Sequence, residues 1–324
     1  MSNQIKNIIF AGHFAIDKII RFKHLSKACL GGSTTYCSLA LRAYTQDVNI
    51  GIISHIGKLN FKLSLLDAVT SKDINLRGVK YSNVKNTNFI LDYFNHSRTL
   101  TLKSRSPDLE FKDIPQEYLV NSPDVIVLVP LCNEISFEYV SQISKMVPNV
   151  LIGIDLQGFL RNIDNQGKVS YQYSEEIISN INKIINLIGD NLILKGSEEE
   201  IKLLAKEYND SNKVMNNFEK YNTNGLFIMT LGDKGSMIYK KGYPILKIPA
   251  FKPKKVSDET GAGDVYFSIF LYEFLHSDKS WEMIKNCAFL ASAAASFLVE
   301  KKGPSGFGTK MNVLKRASRK EYIE

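Results

Sequence analysis

Asp258-Glu259-Thr260-Gly261-Ala262-Gly263-Asp264 leads without a break into an apolar stretch, 265–275. A Gly-Ala-Gly turn feeding a helix leaves several backbone N–H groups without intrahelical partners, all pointing one way. Together with the positive end of the helix dipole they make an anion-binding pocket. Asp264 adds a carboxylate beside that pocket, where it would repel a resting anion. The pairing implies a division of labour. The backbone of Gly261, Ala262 and Gly263 holds a transferring phosphate or its developing charge, and Asp264 accepts a proton from the attacking hydroxyl. A glycine-rich helix start with an acidic first turn has the same local sequence, so the rest of the chain must decide.

Working outward, Lys6–Ala11 is a short apolar run ending at Gly12, the pattern of a buried parallel strand. Similar runs recur at 48–56, 124–130, 150–155, 192–195 and 225–231. Helical spacing follows the Gly31-Gly32 pair at 34–44 and returns at 135–146, 174–187 and 197–208. Strands alternating with helices predict a three-layer α/β fold: a mostly parallel central sheet flanked by helices. Two early regions break the rhythm. Residues 88–93 and 99–103 flank the polar turn Asn95-His96-Ser97-Arg98 as a hairpin would, and 16–30 reads as two short strands joined by a basic turn. Segments 16–30 and 87–104 are therefore expected to form a small β-sheet lid that closes over a reaction and excludes water. The whole chain, 1–324, is expected to be a single domain.

Charged residues make up 23% and apolar residues 44% of the 324-residue chain, the balance of a soluble globular protein. The charge-free, alanine-rich run 287–299 is too short to span a bilayer and reads as a buried helix. The N-terminus lacks a signal-peptide pattern, and a cytoplasmic location is expected. Cys29, Cys37, Cys132 and Cys287 show no zinc spacing and fit free thiols in a reducing compartment; the five histidines show no ligand spacing either. A net charge of +8 is spread along the chain rather than packed into one block. That distribution argues against a nucleic-acid partner and suits a protein handling nucleotide polyanions. The densest basic cluster, 310–320, reads as a solvated tail or last helix.

Four features now fall in a particular order: Gly12 with Asp17 shortly after, Gly31-Gly32, Thr230-Leu231-Gly232-Asp233-Lys234-Gly235, and the Gly-Ala-Gly-Asp run. In this order the chain resembles the ribokinase-like carbohydrate kinases, the phosphofructokinase-B family. Their signature Asp-Thr-Thr-Gly-Ala-Gly-Asp differs here only at Glu259. The resemblance covers roughly residues 6–308. It implies a kinase domain that uses ATP and Mg²⁺, with Asp264 as catalytic base and Gly261, Ala262 and Gly263 as anion hole. It places Asp17 on substrate hydroxyls, which suits an acceptor of two hydroxyl protons. Gly31 and Gly32 become the diglycine that lets a sugar approach the backbone. Thr230, Gly232 and Gly235 line the nucleotide site, and Ser292 falls where the family packs against the nucleoside, although a small residue for helix packing explains Ser292 equally.

The chain departs from the family in two places. Leu194-Lys-Gly-Ser197-Glu-Glu-Glu200 replaces the usual Asn-x-x-Glu with Ser197 and keeps Glu200, a carboxylate suited to water-mediated magnesium binding. The same stretch also reads as an acidic helix start. Tyr36 stands where family members commonly have Asn, which changes the expected sugar pocket. Asp155-Leu-Gln-Gly-Phe-Leu-Arg161 matches a substrate-side loop, and Arg161 there can reach a hydroxyl, a carboxylate or a phosphate. These variants look most like archaeal and inositol-type members.

The expected activity is transfer of the ATP γ-phosphate to a hydroxyl of a small sugar or polyol. A nucleoside acceptor is the first alternative, with Tyr36 and Phe14 stacking on a base. A catalytically inactive sugar or nucleotide sensor is the second. A dinucleotide-dependent oxidoreductase would need Gly-x-Gly-x-x-Gly after its first strand, and Gly12-His13-Phe14 does not supply it. Expected partners are limited to the small-molecule substrate and a second copy of the chain, paired through an edge strand of the lid, with no nucleic acid and no membrane.

Overall fold

Strand Lys6–Ala11 is an interior strand of a nine-stranded sheet. The computed structural model describes residues 5–21, 24–25, 28–94, 97–120 and 122–323. The strand order across the large sheet is Leu246–Ile248, Ser236–Tyr239, Leu226–Thr230, Leu192–Ser197, Leu151–Asp155, Val125–Leu128, Lys6–Ala11, Val48–Gly57, Asn75–Ser82. Every pairing from Leu226–Thr230 to Asn75–Ser82 is parallel; the two strands at the other edge are antiparallel.

Strand alternation explains why these runs are apolar throughout. Ile8, Phe10, Val125 and Val127 face one core, shared with Phe267, Phe270 and Leu271 of helix Ala262–Leu275. Ile9, Ala11, Ile126 and Leu128 face a second core, shared with Tyr139, Ile143, Ile181 and Ile185. Side chains switch face with each residue, and helices cover both faces, so residues 8–11 and 125–128 are all buried. The expected three-layer α/β architecture is the one observed. The strand Asn75–Ser82 and the hairpin Ser236–Tyr239/Leu246–Ile248 extend the sheet beyond what the apolar runs predicted.

Gly153 brings the key helix close. A Cβ built there would lie 3.0 Å from Leu271 and 3.2 Å from Phe267, so helix Ala262–Leu275 rests almost on the backbone of the sheet. The same helix packs on helix Ser33–Tyr44, tied by Tyr44 Oη donating to Glu273 at 2.7 Å. The basic segment near the C-terminus is a helix, Lys310–Arg319, anchored by buried Val313.

The small sheet is built around Ala15–Arg21. That strand pairs antiparallel with Cys29–Gly31 and His24–Leu25, and parallel with Asn88–Phe94, which in turn pairs antiparallel with Ser97–Ser104. Segment 16–30 thus carries three strands where two were expected. Most of the basic turn expected within it, and Asn95 and His96 of the polar turn, lie outside the described residues. The edge of Ser97–Ser104 is partly occupied by the chain itself: Leu102 N–H donates to Gly167 O at 2.7 Å, and Thr101 bridges Lys168.

Among the described residues, no helix is long and apolar enough to cross a membrane.

Candidate active site

The carboxyl ends of the parallel strands open into a cleft of about 540 Å³. The cleft spans both sheets: Asp17, Phe89, Leu91 and Leu100 come from the small sheet, and Lys195, Ser197 and Thr230 from the large one. Crevices at the carboxyl ends of such sheets are where ligands bind in open α/β folds.

Asp264 lies in the first turn of helix Ala262–Leu275. Gly261 precedes that helix with φ +84°, a left-handed conformation that favours glycine. A Cβ there would fall 2.1 Å from the Tyr36 ring, so the ring packs flush against the turn. The Ala262 N–H turns back to Glu259 O at 3.2 Å. This leaves the N–H groups of Gly263 and Asp264, at positions that lack intrahelical acceptors, as the best-placed anion donors. Asp264 is 8% exposed, and among the described residues its Oδ1 has no hydrogen-bond partner. Burial, reinforced by Asp155, pushes its carboxyl up to about 7, against the opposing pull of Lys195, a Ser33 hydrogen bond and Arg161. Near neutrality such a carboxylate can take a proton and release it again.

On the acceptor side, a Cβ on Gly31 would fall 1.9 Å from Asp17 Oδ2. Gly31 therefore makes room for the Asp17 carboxylate rather than lining the cleft. Gly32, at φ +91°, caps helix Ser33–Tyr44 and does line it. Arg161, 4% exposed, donates from Nη1 to Leu131 O at 2.7 Å and lies 5.5 Å above the Phe89 ring, while its Nε has no partner. Phe14, expected to stack on a base, is fully buried in the core and does not reach the cleft.

On the opposite side, Thr230 ends its strand, and Gly232 (φ +63°) and Gly235 (φ +88°) shape the following turn. Ala250, Phe251, Ala295, Val299 and Ile323 give this end an apolar wall, and the Gly261–Asp264 turn gives it an anion site, which together fit a purine ring and its phosphates. Ser292 lines this wall while its hydroxyl donates to Pro249 O at 2.8 Å, a helix-packing bond. Ser197 and Glu200 form a capping box on helix Glu198–Ala205. Glu200 accepts from Ser197 N–H at 2.8 Å through Oε2 and from Tyr171 Oη at 2.8 Å through Oε1. With one bond on each oxygen, Glu200 suits contact with a metal's water shell better than direct ligation.

Two groupings escaped the sequence reading. Asp155 and Lys195 meet across adjacent strands in a buried ion pair of 2.7 Å. Their register was legible only once the strands were paired. His13, Cys132 and Glu134 also converge, close enough together to hold a metal ion. Their bonds are already made, however: His13 Nδ1 pairs with Thr87 Oγ1 at 2.9 Å, and His13 Nε2 with Pro107 O at 2.8 Å. Glu134 accepts the backbone N–H groups of His13, Leu131 and Cys132. This cluster pins a loop beside the cleft.

Residues 31–310 match the pfkB family of carbohydrate kinases, and the chain belongs to that family. It is 25% identical over 297 residues to a 5-dehydro-2-deoxygluconokinase of Clostridium beijerinckii, a match covering 88% of this chain and 82% of that one. A 46% identical stretch of 76 residues links it to a nucleoside kinase of Methanocaldococcus jannaschii, spanning 24% of each protein. Among solved structures, the M. jannaschii nucleoside kinase superposes with a TM-score of 0.70 at 19% identity, covering 98% of this chain and 99% of that one. A fructokinase from Xylella fastidiosa with bound ATP superposes with a TM-score of 0.78 at 16% identity, covering 97% and 99%. The protein is thus a kinase of ribokinase-like fold, similar to a 5-dehydro-2-deoxygluconokinase and to nucleoside kinases.

Proposed function

We propose that this kinase transfers the γ-phosphoryl group of ATP to a hydroxyl of a small sugar or polyol. The observation that carries the proposal is Asp264: a buried carboxylate with one free oxygen, beside a glycine turn, where the apolar wall and the polar acceptor wall of one cleft meet. The acceptor hydroxyl oxygen bonds to the γ-phosphorus as the bond from that phosphorus to the bridging oxygen breaks, and ADP leaves with the electron pair. The hydroxyl proton passes to Asp264. The N–H groups of the turn face the charge on the transferring group, where fixed donors count most. Asp17, Gly32 and Arg161 hold the acceptor, and Tyr36 closes the boundary between acceptor and phosphate. Mg²⁺ bound with ATP would neutralise phosphate charge, with Glu200 accepting from its water shell.

In this reading the chain works as one domain, 1–324, and the small sheet is its lid. A homodimer through the lid would have to use edge not already taken by residues 167 and 168. A nucleoside acceptor is a second reading, favoured by the apolar side chains Phe89, Leu91, Leu100 and Leu131 around the acceptor space and by the nucleoside kinase relative.

ATP consumption with Mg²⁺ across pools of pentoses, hexoses, sugar acids, inositols and nucleosides tests both readings. Response to a sugar, sugar-acid or inositol pool is the expected result. Response to nucleosides alone would replace the first reading by the second. ATP binding without turnover on any pool would favour a sensor.

A further inference from the structure

Lys195 is a buried cation that the scheme above leaves unused. It lies near the end of strand Leu192–Ser197, directly opposite Asp155 on the neighbouring parallel strand. Its ammonium is 2.7 Å from Asp155 Oδ2, and the two side chains are only 6% and 1% exposed. A Cβ on Gly263 would lie 2.9 Å from Lys195 Nζ, so the ammonium presses against the last glycine of the turn, one residue from Asp264. It also lines the cleft.

A buried ion pair is a poor source of stability, because stripping water from both charges offsets most of their attraction. Apolar side chains of similar volume would pack the same space at least as well. The location of this pair therefore needs another explanation, and the neighbouring carboxylate supplies one. We infer that Lys195, held in place by Asp155, is a positioning charge of the transfer site that keeps Asp264 in its proton-accepting form. This rests on the reading of Asp264 as the base.

The groups around Asp264 come from four directions. Asp155 and Lys195 approach from the sheet, and Arg161 from the start of strand Arg161–Ile163. Ser33, Tyr36 and Cys37 approach from helix Ser33–Tyr44: Ser33 bonds the carboxyl, and the Cys37 thiol donates to Asp264 O at 3.4 Å. Glu200 acts on Lys195 from helix Glu198–Ala205. Burial works against a charged Lys195, but Asp155, Glu200 and Asp264 outweigh it and hold the ammonium protonated above its usual range. Burial and Asp155 favour the neutral form of Asp264; Lys195 and Arg161 favour the ionised form. The two members of the ion pair thus push Asp264 in opposite directions.

The test is to titrate Asp264 directly in the full-length protein labelled with ¹³C at aspartate carboxyls, assigning its signal as the one missing from D264N. K195M should raise the midpoint by about one pH unit or more, D155N should lower it, and K195R should stay near wild type. An unmoved midpoint in K195M, or K195M and D155N shifting the same way, would overturn the inference. Should K195M fail to fold, D155N and K195R carry the test: a D155N midpoint that stays or rises, or a K195R midpoint displaced as far as K195M was expected to move, overturns it equally. Turnover of D264N keeps the two readings apart. Full activity in D264N would remove Asp264 as the base, whereas an inactive D264N with a K195M midpoint at the wild-type position would remove only Lys195.

Discussion

Glu134 and Asp264 are both buried carboxylates, Glu134 behind the cleft wall at Leu131 and Asp264 lining the cleft, yet Glu134 accepts three backbone N–H groups while, among the described residues, Asp264 keeps an oxygen without a partner. Burial alone would push both carboxyls up. At Glu134, His13 and the N–H groups of Cys132 and Leu131 outweigh burial and hold the carboxyl below its usual range. At Asp264, burial and Asp155 prevail, and the carboxyl is pushed up to about 7. Comparable burial therefore leaves one carboxylate tied to the backbone and the other with an oxygen that none of the described residues bonds. Proteins satisfy their buried polar groups almost everywhere, so a buried carboxylate left unsatisfied beside a substrate-sized cleft points to chemistry.

The sharpest way to break this contrast is to remove each carboxylate in turn. D264N should fold as wild type does and lose about 10²–10⁴-fold in turnover, the scale of a general base. Steady-state kinetics beside a thermal melt would check this, and turnover within tenfold of wild type would contradict it. E134A should do the reverse. It strands three N–H donors and should cost about 3 kcal/mol or more in stability, read from urea unfolding, while the surviving folded fraction keeps its acid–base profile.

Smaller effects follow from pH. The acid limb of kcat/KM should be centred near pH 7, the value reached by Asp264, falling about tenfold per pH unit below it. Stability carries the opposite sign. With its folded pKa raised, Asp264 lends stability that is fully present below its unfolded value of 3.8 and is lost as pH rises through about 7. The melting temperature of D264N relative to wild type should therefore climb between pH 4 and 7 and level off above. The mildest change is S197A, which removes half of the capping box at Glu200 and should cost about 1 kcal/mol. A larger loss of ATP affinity than of stability in S197A would bring Ser197 into the phosphate site.

Much of the fold was legible because strands buried on both faces write continuous apolar runs, as Ile8-Ile9-Phe10-Ala11 does. Asn75–Ser82 was missed because it is an edge strand with half its side chains in water, so its pattern resembles a loop. At the site, local turns declared themselves: Gly261, Gly232 and Gly235 all adopt positive φ that their spacing foreshadowed. Lys195 did not, since a single lysine in a strand acquires meaning only through the register that sets it opposite Asp155. Phe14 misled because it lies in the short connection between Lys6–Ala11 and Ala15–Arg21, where only the tertiary packing shows that its ring is buried in the core.

Helix Ala262–Leu275 has a consequence for how the chain is made. Its Phe267, Phe270 and Leu271 cover a core whose other side is Ile8, Phe10 and Ile52. During synthesis those N-terminal strands leave the ribosome long before this helix exists, so one apolar face of the nascent sheet waits with helix Ser33–Tyr44 as partial cover for most of translation. The segments that later shield it are the one that carries Asp264 and the helix Trp281–Leu298 that follows it. A truncated chain released before residue 262 would thus be sticky and would lack Asp264 as well.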